Sequence, residues 1–98
     1  MSIGKGLQIE RRTGEDFYIR DERYEVTGIN RIDNCTVKRC SDGHMFILTH
    51  ESKVEIAPGV NAFVGNRGQL NMVRIVLEGD RSIPIIRGEI WREAGKLN

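Results

Sequence analysis

The sequence predicts an all-β fold of small antiparallel sheets, about nine or ten strands, closed by one short C-terminal helix. Three observations carry this. Apolar runs are short and interrupted every eight to twelve residues or so. The chain has eleven glycines and only two prolines, and many of them fall in the breaks between those runs. Helical periodicity is hard to find before residue 88.

Taken in order, strands are expected at about 7–12, 16–20, 24–31, 35–40 and 44–50. Further strands are expected at about 53–56, 60–66, 71–77 and 82–87, and a helix over about 88–95. Thr13-Gly14, Ser41-Asp42-Gly43, Pro58-Gly59, Asn66-Arg67-Gly68 and Gly79-Asp80 supply the residues that tolerate sharp reversal. In the last strand, alternation places Ile83, Ile85 and Arg87 on one face and Ser82, Pro84 and Ile86 on the other. Ile90 and Trp91 are read as the apolar face of the helix, packing on the sheet.

Composition narrows the function classes. A chain of 98 residues is expected to form a single domain, 1–98, with a modest core. Charged residues make up 30% and nearly cancel, leaving a net charge of +1. Such a chain has no global field to attract polyanions, so nucleic-acid binding would rest on a few placed side chains. The two cysteines, Cys35 and Cys40, lack the second Cys or His pair of a structural zinc site and read as reduced thiols. His44 and His50 have no third ligand, so no metal or other cofactor is expected. Glu15, Asp16, Asp21, Glu22 and Glu25 read as a solvated acidic face. No nucleophile–base pair, phosphate loop or dinucleotide fingerprint is present, so the chain is not expected to be an enzyme. Without a long apolar span or the apolar core of a signal peptide, it reads as cytoplasmic, with no membrane partner.

The chain also compares with itself. At an offset of 36 residues, Asn30-Arg31 meets Asn66-Arg67, Val37-Lys38 meets Val73-Arg74, and Asp42-Gly43 meets Glu78-Gly79. Ile47 and Val54 then fall on Ile83 and Ile90. A degenerate duplication follows, with copy one over 7–54 and copy two over 55–98.

Two segments carry a family resemblance. The first is Leu7-Gln8-Ile9-Glu10-Arg11-Arg12-Thr13-Gly14-Glu15. The second runs from Asn71-Met72-Val73-Arg74-Ile75 to Pro84-Ile85-Ile86-Arg87-Gly88-Glu89-Ile90-Trp91. Together they resemble the opening strand L-I-x-x-R-R-x-G-E and the closing segment N-x-V-R-I-G-x-x-A-P-x-x-[VI]-P-[VI]-H-R-E-E-I-Y of the carbon storage regulator (CsrA/RsmA) family. Members are homodimers of five-stranded protomers whose first strand pairs with the partner's fifth. The resemblance therefore implies that two copies in one chain form the whole dimer, a monomeric pseudo-dimer. Phe46-Ile47-Leu48-Thr49 reads either as the close of copy one or as a second opening strand. A further topology also stands, in which residues 34–70 are inserted into a single copy that dimerises.

The resemblance implies a post-transcriptional regulator that recognises GGA in hairpin loops of mRNA or small RNA. Residue by residue, Ile9, Arg11 and Arg12 match the opening-strand positions of that site, and Ile86 and Arg87 the fifth-strand positions. Guanidinium groups suit this role, since they fork onto guanine acceptors and phosphates beside strand edges. Glu51 falls on Arg87 at the offset of 36, which predicts one working composite site and a repelling counterpart. Ile86 in place of the family's histidine, Gly88 in place of a glutamate and Gly79-Asp80 in place of Ala-Pro are departures. Glu51 and the near-neutral charge favour a second reading, a protein-interaction module or decoy that pairs its strands with a protomer of a regulator of this family.

Overall fold

The computed structural model describes residues 7–31, 34–65, 72–80 and 82–97. They form the expected all-β architecture. The strands are β1 (Leu7–Arg12), β2 (Asp16–Ile19), β3 (Glu22–Arg31), β4 (Asn34–Arg39) and β5 (Met45–Thr49), followed by β6 (Val54–Ala57), β7 (Val60–Val64), β8 (Met72–Glu78) and β9 (Ile85–Arg87). Helix α1 (Gly88–Leu97) closes the chain. The expected turn at Asn66-Arg67-Gly68 and the residue Asn71 lie outside the described residues.

Small differences from the expected bounds have local causes. β9 begins at Ile85 because Pro84 has no N–H for the ladder. The carbonyl of Pro84 instead accepts from the backbone N–H of Arg20 at 2.9 Å. Between β2 and β3 the hairpin needs only Arg20 and Asp21, and Arg20 takes a left-handed φ of 58°. Glycine would take that conformation freely, whereas here it costs on the order of 1 kcal/mol. At the expected turn Pro58-Gly59, Gly59 does have the positive φ, 79°.

Two antiparallel sheets are stacked on one core. One has the order β1-β8-β7-β6, the other β5-β4-β3-β2-β9. The ends of the chain lie in different sheets: β1 lies on β8 with Ile9 opposite Ile75, and β9 lies on β2 with Arg87 opposite Phe17, so the first strand does not pair with the last as the family resemblance implied. Alternate residues of both sheets turn inward, including Phe17, Tyr24, Val26, Val37 and Leu48 from one and Ile9, Ile56, Val73, Ile75 and Leu77 from the other. The Tyr24 hydroxyl spans the layers and donates to the carbonyl of Ile56 at 2.8 Å.

The sheet orders place the ambiguous stretch at 46–49 on an edge strand. β5 flanks β4 as β1 flanks β8, with Phe46 opposite Val37 as Arg11 is opposite Val73. Met45–Thr49 thus holds in its sheet the place that Leu7–Arg12 holds in the other. β4 and β8, with Val37 and Val73 buried, occupy equivalent places. The offset of 36 fails beyond them, because Ile47 lies on β5 while Ile83 precedes β9, and Val54 lies on β6 while Ile90 is helical. β9 pairs with β2, but no described strand pairs with the outer side of the equivalent β6. The segment considered as an insertion supplies β4 to β7, members of both sheets.

Candidate nucleic-acid interface

β1 and β9 are the edge strands of their sheets. Between them runs an open groove of ≈ 900 Å³, lined by all five residues singled out in the sequence: Ile9, Arg11, Arg12, Ile86 and Arg87. Four arginines and two glutamates line it, over an aliphatic floor that includes Leu7, Ile85 and Ile90. No aromatic ring lines it among the described residues.

The five residues are not alike. Arg12 and Arg87 are exposed, and among the described residues neither side chain makes a hydrogen bond or ion pair. Ile86 is half-buried beside them, opposite Tyr18 on β2. Ile9 and Arg11 correct the simplest reading of the motif. Ile9 is 6% exposed and belongs to the core while also lining the groove. Arg11 is 4% exposed, because period-two alternation turns it inward with Ile9 while Arg12 turns out.

Burying a guanidinium requires that its donors be met. Nε of Arg11 donates to the carbonyl of Glu10 at 2.7 Å, and Nη1 to the carbonyl of Asp16 at 3.0 Å. Nη1 and Nη2 also fork onto the Glu89 carboxylate at 2.8 and 3.0 Å. That bidentate bond holds the Glu89 carboxyl down at about 2, helped by its own backbone N–H at the start of α1. The Arg11 pKa is raised in turn, first by the hydrogen bonds to Glu89.

Asp16 corrects the expected solvated acidic face, since it is 2% exposed. Its Oδ2 accepts from Arg23 Nε at 2.7 Å and from Arg92 Nη1 at 2.9 Å. Burial pushes its pKa up, but the hydrogen bonds from Arg92 and Arg23 outweigh this and leave it lowered. Gly88 packs directly on the same carboxylate. On α1, Trp91 stacks on Tyr18 with ring centres 4.3 Å apart and planes 10° from parallel, as expected of a packed helix face. Ile90 departs from that expectation: it is 41% exposed and lines the groove.

Glu89 was the residue most open to earlier notice, because an acid in the first turn of a helix is a capping signal and the closing motif carries one there. Glu51, read against Arg87, lies in the turn after β5 and not on any strand. Elsewhere the chemistry is sparse. Cys35 and Cys40 are free, and burial pushes the Cys35 thiol up to about 12. Among the described residues no cluster of three His, Cys, Asp or Glu is placed to hold a metal, and no helix is long and apolar enough to cross a membrane. No protein-family model, curated protein or solved structure matches this chain.

Proposed function

We propose that this chain is a carbon-storage-regulator-like, post-transcriptional regulator of the cytoplasm. It binds a GGA-containing hairpin loop of an mRNA or small RNA in the groove between β1 and β9 and performs no catalytic step. The observation that supports this most is that two exposed guanidinium groups, Arg12 and Arg87, line one groove on strand edges drawn from opposite ends of the chain. Strand edges offer N–H and C=O groups to bases splayed from a loop, and the two cations suit phosphates or guanine acceptors. The experiment is a filter-binding titration of a GGA hairpin against its CCA variant. Selective retention of GGA is the expected result, and equal retention of both would remove the proposal.

A second reading is an interaction module or decoy for a regulator protomer. The near-neutral charge and the aliphatic, ring-free groove floor favour it. Mixing the chain with such a protomer and following hetero-oligomer formation by sedimentation, with no RNA present, separates the two readings.

A further inference from the structure

Within the proposed RNA-binding reading, on which this inference rests, Arg11 and Arg12 have opposite environments although they are neighbours. Arg12 is exposed, whereas Arg11 makes four hydrogen bonds to protein oxygens and is almost fully buried. To reach an anion in the groove, Arg11 would have to abandon Glu89 and two backbone carbonyls.

From this geometry we infer that Arg11 and Glu89 are positioning residues. Their ion pair fixes the β9–α1 junction against β1 and so sets the spacing of the Arg12 and Arg87 guanidinium groups, without itself touching RNA.

Arg11 immediately precedes Arg12 on β1, and Glu89 follows Arg87 by two residues and lies within electrostatic reach of it, so the pair adjoins both groove cations. It also joins elements that no backbone ladder joins. β1 belongs to one sheet and β9 to the other, and sheet pairing alone leaves the gap between them unset. Arg11 closes that gap at two points, through Glu89 on α1 and through the carbonyl of Asp16 on β2. Asp16 then grips the same junction from the other side, against Gly88 and through Arg92. Recognition by two forks depends on their separation, so a site held loosely loses affinity with its contacts still present.

The test is Glu89→Gln, chosen because the side chain is half exposed and the amide keeps its shape. GGA-hairpin affinity is measured over a range of salt. A positioning role predicts a loss of roughly tenfold with an unchanged salt slope, because no phosphate contact is removed. It also predicts that Arg87→Ala costs less in the Glu89→Gln background than alone. If Glu89 merely competes with RNA for Arg11, affinity instead rises and the salt slope steepens by roughly one phosphate contact. That result, or an unchanged affinity in the folded variant, overturns the inference. Amide hydrogen exchange without RNA gives an independent reading. Exchange at Ile86, which faces Tyr18 in the β2–β9 ladder, should quicken in Glu89→Gln while Val37 in β4 stays protected; equal protection throughout overturns the inference. A wild-type chain that binds no hairpin refutes the RNA reading, and the exchange result then still decides whether the ion pair sets the junction.

Discussion

The Asp16 carboxylate fills the space that a side chain on Gly88 would need. The helix begins at Gly88 with no room for a Cβ, and the buried acid beneath it is held by Arg23 and Arg92. Strand β2, helix α1 and the rim of the groove are therefore packed through one carboxylate.

Gly88→Ala should destabilise the fold by about 1–3 kcal/mol, the usual cost of overfilling a packed site. The cost is steric, since Gly88 is not among the residues with positive φ. Urea unfolding measures it, and a midpoint equal to wild type would contradict the contact.

Acid should loosen the same region. The Glu89 carboxyl is held at about 2, against an ordinary value of 4.5, and that of Asp16 is also lowered. A depressed carboxylate contributes stability that is complete above its unfolded pKa and is lost as pH falls through the folded one. For Glu89 the window runs from about pH 5 down to about 2. Glu89→Gln should lower stability near pH 7 and flatten the fall between pH 5 and 2, read from urea midpoints across pH. A variant curve parallel to wild type would show that the carboxylate is not linked to folding.

Arg12→Ala and Arg87→Ala should each weaken GGA-hairpin binding by about 1–3 kcal/mol, the range for a charged contact to a base edge or phosphate. Both side chains are exposed, so stability should change by no more than about 0.5 kcal/mol. Arg11→Ala should differ from both, with a clear loss of stability because it strands Glu89 and two carbonyls. Calorimetric melting beside the binding titration separates the two behaviours.

The chain should sediment as a monomer and bind one hairpin. Both end strands are paired within the chain, β1 on β8 and β9 on β2. Sedimentation equilibrium should give the mass of one 11.2 kDa chain, and titration calorimetry one site. Glu51→Arg should raise non-specific RNA affinity with a steeper salt dependence, by roughly one phosphate contact, without adding a GGA-selective site. Two equal sites on the wild-type chain would refute the asymmetry.

The strands were legible because Leu7-Gln8-Ile9 and Val73-Arg74-Ile75 alternate as half-buried strands should, and because Gly43 and Gly59 mark reversals. The partner of each strand was less so. Pairing across sheets is non-local, and Met45–Thr49 carries the same aliphatic pattern whether it opens one half or closes the other. The groove was legible as a set of residues, since all five line it. Their roles were mixed: parity on β1 separates buried Arg11 from exposed Arg12, whereas the burial of Asp16 depends on Arg23, Arg92 and Gly88 arriving from distant positions.

Among the described residues one sheet has four strands and the other five, and no strand covers the outer side of β6. Tyr24 takes the Ile56 carbonyl, Glu55 is exposed and Pro58 follows the strand. The molecule therefore has a front and a back that differ, unlike a symmetric dimer with two identical faces. On a transcript carrying two recognition loops, a symmetric dimer can grip both and draw the RNA into a closed ring. Under the proposed RNA-binding reading, a chain with a single front would cap one loop and leave the other for a second molecule, so it would shorten no distance along the RNA.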